Sequence, residues 1–409
     1  MHEFTLPIGP QHPALAEPIH FRLKVDGESV VDAEMHLGYN HRGIEKALEG
    51  RQWFKGVFLS GRICGICSQS HTACYSQGIE RLAGVQIPDR GRYARTIFAE
   101  LERLHSHMLL MAVAGHTIGF DTAFHYIMRD REYVLQIMEL LSGKRVQHDF
   151  NTIGGVRGDI SEDQFTKVHA NLDKIDERAR HYMKVFTKDR GIRKRLKGVG
   201  RLSAKDAEEF GVLGPIARAS GLKSDIRTSG YSAYGEIAFK PVVGSEGDCL
   251  ERMAVRIKEL EASVKIIRDC LSSLPKGDAK AKLPLVLNVE KGKEGTSRIE
   301  APRGELIYYI KANGLMPERV KVRTPTFANF SCVGKILQGT QVADAPITIA
   351  TLDPCIACCD RITVVDVNTG KSRVVDHHEL DHMFNREHEH NKLKVAKPPS
   401  FQNREHRHD

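Results

Sequence analysis

Two Cys-x-x-Cys pairs, Cys64 with Cys67 and Cys355 with Cys358, stand 288 residues apart in a 409-residue chain, and they restrict its folding more than any other feature. Within each pair the spacing lets two sulfurs reach one metal ion. Four thiolates are soft ligands, suited to zinc, an iron–sulfur cluster or nickel with iron, and unsuited to magnesium or calcium. A compact zinc ribbon separates its pairs by roughly 15–20 residues, so a closed zinc knuckle is disfavoured. The remaining solution brings the two ends of the fold to one metal, with a large body between to position them. Gly65 permits a tight turn between the first two sulfurs, and Pro354 fixes the backbone ahead of Cys355. His71, four residues after Cys67, is placed to donate a hydrogen bond to a ligating sulfur.

That body has the composition of an ordinary globular protein, 41% hydrophobic and 27% charged, enough to exclude disorder as the default. The longest apolar runs, such as Met108 to Ala114, fall well short of the roughly 20 residues that span a bilayer, and no signal peptide opens the chain. A cytoplasmic, water-soluble chain is expected. The net charge of +8 is spread along the sequence rather than massed, so nucleic acid is not an expected partner. Nine cysteines without an export signal argue against a disulfide framework. Cys74, Cys249, Cys270, Cys332 and Cys359 read as small buried hydrophobes.

Phe21, Leu23 and Val25 alternate with Arg22 and Lys24 before Gly27 interrupts, which predicts an opening hairpin or short sheet. Ile97, Leu101, Leu104, Met108 and Met111 recur at helical spacing and predict a long central helix over 93–115. Further helices are predicted around 132–141, 162–187 and 248–274, and strand-like or irregular segments near 283–289, 306–311 and 347–352. The expected fold is mainly α with minor β (α+β). A central bundle of long helices is flanked by short mixed sheets near both chain ends, and the metal centre joins the N- and C-terminal segments. One domain, 1–361, precedes an extension, 362–409, that carries seven of the 20 histidines.

Arg62-x-Cys-Gly-x-Cys-x-x-x-His71 and Asp353-Pro-Cys-x-x-Cys-x-x-Arg361 closely resemble the two signature motifs of nickel–iron hydrogenase large subunits, the final Arg being typical of the energy-converting, membrane-associated group. Gly9-Pro-Gln-His-Pro13, Tyr39-Asn-His-Arg-Gly-Ile-Glu45, Gly154-Gly-Val-Arg157 and Glu300-Ala-Pro-Arg-Gly-Glu305 extend the resemblance to Arg361. The resemblance implies that Cys64 and Cys355 are terminal nickel ligands and that Cys67 and Cys358 bridge nickel to an iron carrying carbon monoxide and cyanide. It implies that Pro302 and Arg303 lie against those diatomic ligands, with Thr351 a further donor to cyanide and Arg62 and Asp353 in the supporting shell. A fixed guanidinium beside anionic cyanides is physically sensible. The reading of Arg303 without that context is a surface ion pair with Glu300 or Glu305.

The resemblance also implies reversible hydrogen oxidation by heterolysis, the metals taking the hydride and Cys355 or Arg303 the proton. Glu17 matches the family's proton-relay glutamate, and burial would raise its pKa into a useful range. With the four cysteines used, no iron–sulfur motif remains, so electrons must pass to a cluster in a separate small subunit. Ferredoxin-like electron-transfer subunits, membrane subunits that move ions and maturation factors complete the implied partners. The chain would then lie peripherally on the inner face of the cell membrane, and residues 362–409 would be a maturation peptide cut after Arg361. His41, Arg42 and Glu45 are candidates for a coupling or proton path. Their string also resembles the quinone-site subunit of respiratory complex I, a relative without the cysteines. A complex I-like coupling subunit and a zinc-stabilised scaffold are the competing readings.

Overall fold

The computed structural model describes residues 3–11, 15, 17–359 and two short strands at 363–365 and 372–374. Contacts divide the chain into two units, 1–361 and 362–409. In the second, β9 (Thr363–Val365) pairs antiparallel with β10 (Ser372–Val374). Arg361 and the tail histidines lie outside the described residues.

The alternation at Phe21, Leu23 and Val25 belongs to β2 (His20–Asp26), where all three are fully buried. β2 lies between β1 (Glu3–Ile8) and β3 (Ser29–His36), and Gly27, at φ 60°, makes the turn into β3. A second sheet has the order β6 (Glu294–Ala301), β7 (Gly304–Asn313), β8 (Met316–Arg323). Both sheets are antiparallel throughout, where mixed sheets were expected. Two-residue turns join β2 to β3, β6 to β7 and β7 to β8, and so short a connection permits only antiparallel pairing. The small ribbon β4 (Asn151–Thr152) with β5 (Gly155–Val156) is also antiparallel.

Four long helices form the body: α3 (Asp89–Thr117), α4 (Asp121–Ser142), α5 (Glu162–Lys188) and α7 (Cys249–Ser272). They pack around one core that includes Leu101, Ile137, Leu172 and Leu260. α5 opens on a capping box made by Ser161 and Gln164, and the Asp248 side chain caps α7 by accepting from the Glu251 N–H. The shorter α1 (Ile44–Glu49), α2 (Ser68–Ala83), α6 (Gly214–Ala219), α8 (Ala345–Thr351) and α9 (Ile356–Cys359) carry the loops that matter for chemistry. Residues 347–351 of the run 347–352 are helical in α8, with Leu352 as its C-cap, and not strand-like. A short continuous apolar run fits a buried helix as well as a strand, and Pro346 at the first turn favours the helix. Residues 283–289 form no strand; only Val289 makes an isolated bridge, to Gly314.

Several histidines are sealed inside this body. Burial pulls His107 and His148 down to about 4, overriding the hydrogen bonds to Glu259 and to the Arg145 carbonyl that favour the charged form. A depressed histidine pKa favours the folded state while the ring is neutral, and that contribution is lost as pH falls from about 6.5 through about 4. At full protonation the loss is about 3 kcal/mol for each ring. The melting temperature is therefore expected to drop steadily across that window in a pH series, and His107→Gln to flatten part of the drop. A melting temperature constant down to the lower limit contradicts this account.

Candidate metal centre

Cys64 and Cys67 lie in the loop that runs into α2, and Cys355 and Cys358 bracket the entry to α9. The folded chain brings them together: the four sulfurs all lie within 4.8 Å of one another and all four residues are buried. Cys64 and Cys355 sulfurs are 3.0 Å apart, as are those of Cys355 and Cys358, while Cys67 and Cys358 are 3.4 Å apart. Contacts with the other three thiols hold Cys64 well below the usual thiol range, whereas Cys67, Cys355 and Cys358 are pushed up. One thiolate thus suppresses the ionisation of its neighbours. A bound multivalent cation would release the protons of the other three thiols, so the donor set fits a soft transition metal.

Arg42 stitches the two cysteine loops to each other. Its guanidinium donates to the carbonyls of Arg62 (2.9 Å), Ile63 (2.6 Å) and Ala357 (3.3 Å), residues that adjoin Cys64 and Cys358. The Arg62 side chain points elsewhere, into a bidentate pair with Asp149 at 2.8 and 3.0 Å. Glu45 binds the Val322 N–H and Lys321, docking α1 on β8, and the His41 Nε2 is buried without a hydrogen-bond partner. Neither of these last two residues is among those that line the cavity beside the thiols.

His71 stands where the sequence places it, its Nε2 3.5 Å from the Cys358 sulfur. Its Nδ1 is 2.7 Å from the Tyr308 hydroxyl, a partner invisible in the sequence. Burial pulls this imidazole down to about 4, so it is neutral. Tyr308 donating to Nδ1 leaves the ring proton on Nε2, directed at the thiolate. Tyr308→Phe is expected to lower metal affinity about tenfold through loss of this orientation. His71→Leu and the double variant should then match, as read by metal retention under a chelator. Additive losses in the double variant contradict the relay.

Arg303 occupies the two-residue tip between β6 and β7, where Ala301 pairs with Gly304. A methyl group at Gly214 would lie 2.4 Å from the Arg303 carbonyl oxygen, and one at Gly304 2.8 Å from the Gly214 nitrogen. Only glycine at both places allows the hairpin tip to press on the start of α6. The guanidinium, 5% exposed, donates to the Asp353 carbonyl (2.8 Å), Asp353 Oδ1 (2.6 Å) and Ser106 Oγ (3.0 Å). Burial opposes its charge, but Asp353 and the cysteines hold it firmly protonated. Asp353 itself is left-handed, at φ 60°, a conformation aspartate tolerates better than most side chains. Glu300 and Glu305, which sequence reasoning offered as partners for Arg303, pair instead with Arg218 and with Arg298 and Arg323.

A small, largely apolar cavity opens beside the sulfurs, lined among others by Cys67, Cys358, Pro302, Arg303, Thr324 and Thr326. Thr324 Oγ1 is buried without a hydrogen-bond partner, and Thr326 Oγ1 accepts from the Cys355 N–H at 3.3 Å. Thr351 is not among the lining residues. Its hydroxyl accepts from Arg252 and points to the Thr348 carbonyl and the Cys249 sulfur. The threonine donors available to small ligands on a metal are therefore Thr324 and Thr326, from the strand-to-helix turn after β8.

On the far side of the cysteine loops, Glu17 Oε2 accepts from the N–H groups of Ile356 and Ala357, the latter at 3.1 Å. Burial nevertheless raises its pKa, helped by the Cys64 charge and opposed by those two amides. Glu17 lines a largely apolar cavity together with Arg303 and Asp353.

A family profile described as "Respiratory-chain NADH dehydrogenase, 49 Kd subunit" matches residues 117–293 and 286–361, and one described as "Nickel-dependent hydrogenase" matches residues 42–111. The membrane-bound hydrogenase subunit alpha of Pyrococcus furiosus is 39% identical over 92% of this chain and 91% of its own length. The chain belongs to the family of nickel–iron hydrogenase large subunits and their complex I 49 kDa relatives. Another member, the carbon monoxide-induced hydrogenase of Rhodospirillum rubrum, is 37% identical over 88% of this chain and all of its own. A chain in the structure of the membrane-bound sulfane sulfur reductase, an archaeal respiratory membrane complex, superposes with a TM-score of 0.83 at 33% identity, covering 88% of this chain and 98% of that one. Among the described residues, no helix is long and apolar enough to cross a membrane.

Proposed function

We propose that this chain is the catalytic subunit of a membrane-associated, energy-converting nickel–iron hydrogenase, interconverting hydrogen with protons and electrons. The observation that carries the reading is the buried tetrathiol cluster beside a fixed guanidinium and a cavity with a spare hydroxyl donor. Cys64, Cys67, Cys355 and Cys358 would hold nickel and iron, with Arg303, Pro302 and Thr324 facing carbon monoxide and cyanide on the iron. When bound, that group supplies a redox-active Lewis-acid pair at which hydrogen is cleaved or formed. Arg303, held by Asp353, keeps positive charge against the cavity. Cys355 is the thiolate that takes the proton. Glu17 accepts it onward: with Oε2 occupied by two amides, Oε1 is the atom that carries the mobile proton.

Electrons would leave through an iron–sulfur small subunit and ferredoxin-like subunits, and integral membrane subunits would couple turnover to ion movement, with the assembly on the inner membrane face. Residues 1–361 form the catalytic domain in this reading, and 362–409 the maturation peptide. The match to the 49 kDa subunit favours a second reading, a coupling or quinone-site subunit without hydrogen chemistry. Nickel and iron content of the purified complex, with infrared absorption of metal-bound carbon monoxide and cyanide, separates the two. Stoichiometric nickel with those bands is expected; zinc alone or no metal overturns the hydrogenase reading.

A further inference from the structure

Helix α2 begins on a metal-site cysteine. Cys67 is its N-cap, and the Cys67 side chain makes no capping hydrogen bond. A serine, threonine or aspartate at that place would accept from the N–H groups two and three residues on, which here are those of Gln69 and Ser70. The Cys67 sulfur faces the cluster instead, 3.4 Å from the Cys358 sulfur. Glu102, in the middle of α3, supplies the missing acceptor. Its Oε1 accepts from the Gln69 N–H at 2.7 Å, and its Oε2 from the Ser70 N–H at 3.0 Å and from the Ser70 hydroxyl. Four other glutamates are buried, Glu80, Glu100, Glu259 and Glu300, and each pairs with an arginine. Glu102 is as deeply buried, yet its hydrogen bonds go to the first turn of α2. Burial pushes its pKa up to about 8, although all three of these donors oppose the shift. Ionised or protonated, both oxygens keep a lone pair for the turn.

The tie runs between a firm element and a sensitive one. α3 is a 29-residue helix whose apolar face lies in the core of the bundle, so packing fixes its side chains. The turn it holds carries Cys67 at its start and His71 directly after Ser70, and His71 Nε2 is 3.5 Å from the Cys358 sulfur. Asn151 grips the same turn: its Nδ2 donates to the Gln69 carbonyl at 3.0 Å, and Gln69 Nε2 donates to Asn151 Oδ1 at 3.1 Å. One side chain cannot both cap a helix and ligate a metal. We propose that Glu102 is a positioning residue for the metal centre: by capping α2 from α3 it leaves the Cys67 sulfur free for the metal and fixes the approach of His71 to the Cys358 sulfur.

This positioning does not depend on which metal the thiols hold; its effect on infrared bands and turnover rests on the hydrogenase reading. Glu102→Gln keeps an acceptor for one N–H and puts an NH2 group, which cannot accept, opposite the other. In the intact complex it is expected to speed hydrogen exchange in the peptide spanning Gln69 and Ser70, read by mass spectrometry. It should also lower metal retention under a chelator about tenfold, shift the infrared bands of the centre and lower kcat about tenfold with KM unchanged. Ser70→Ala, which removes the hydroxyl donor and leaves both amides in place, is expected to move retention and bands in the same direction to a smaller extent. A Glu102→Gln complex that melts at a lower temperature but keeps wild-type retention and bands makes the carboxylate a structural cap alone and overturns the proposal, as does wild-type exchange in that peptide. If the glutamine variant does not fold, Ser70→Ala decides, and unchanged retention and bands there overturn it. A complex that holds no nickel, but loses the metal it does hold faster in Glu102→Gln, sinks the hydrogenase reading and leaves the positioning standing.

Discussion

Cys358→Ser is expected to yield a folded protein that retains no stoichiometric nickel and turns over hydrogen more than about 1000-fold more slowly, a barrier increase above about 4 kcal/mol. Cys358 contributes in two directions, closing the sulfur cluster at 3.0 Å from Cys355 and receiving His71 at 3.5 Å. Serine preserves the shape, but its hydroxyl stays protonated and its oxygen is a hard donor, so the site keeps three soft ligands and a dipole. The fold survives because the cysteine loops are also tied by Arg42 and by Glu17. Metal analysis and a thermal melt on the same preparation check both halves. Wild-type nickel content in this variant removes Cys358 from the ligand set.

Glu17→Gln separates proton movement from metal binding. The glutamine amide oxygen can still accept from Ile356 and Ala357, so the turn into α9 and the ligands beside it should not move. What disappears is a titratable proton, and general acid–base groups contribute about 100- to 10,000-fold. Hydrogen turnover is therefore expected to fall at least about 100-fold, with nickel content and infrared bands unchanged. The wild-type carboxyl, raised by burial, stays protonated to higher pH than a free glutamate. The limb of the pH–rate profile due to its ionisation should accordingly sit above the usual carboxylate range and vanish in the variant. Full turnover in Glu17→Gln means that protons leave another way.

The parts of this molecule legible in its sequence are those whose signal is local. Ile97, Leu101, Leu104 and Met108 mark a buried helix face because helical spacing repeats over many turns, and the structure extends that helix to 89–117. Phe21, Leu23 and Val25 do the same for a strand at period two. The thiol cluster was legible because cysteines in pairs have few other uses in such a chain. Tyr308 was not, since its role arises from a contact 237 residues away and a tyrosine in a strand has no distinguishing pattern, and Arg42, though singled out, was not legible as the tie that reaches Ala357 315 residues on. Thr351 shows the opposite failure. Resemblance carried a role to it, but α8 turns its hydroxyl toward Arg252, and the cavity is met by Thr324 and Thr326 instead. The segment 347–352 was misread because an apolar run has no period to betray its geometry.

The contact between Gly214 and the Arg303 hairpin sets the guanidinium by main chain pressing on main chain. Most side chains elsewhere in the sheet and bundle can change size without shifting that contact, which among the described residues only the Asn329 amide bridges, accepting from the Leu213 N–H and donating to the Arg303 carbonyl. The centre is thus buffered against changes of side-chain size in the surrounding core, as suits a chain that shares 39% of its residues with the Pyrococcus furiosus subunit over nearly its whole length. The same arrangement concentrates fragility: a single added methyl group at Gly214, far from any thiol in the sequence, displaces Arg303, and variation at that glycine should be tolerated only by chains that have ceased to use the guanidinium.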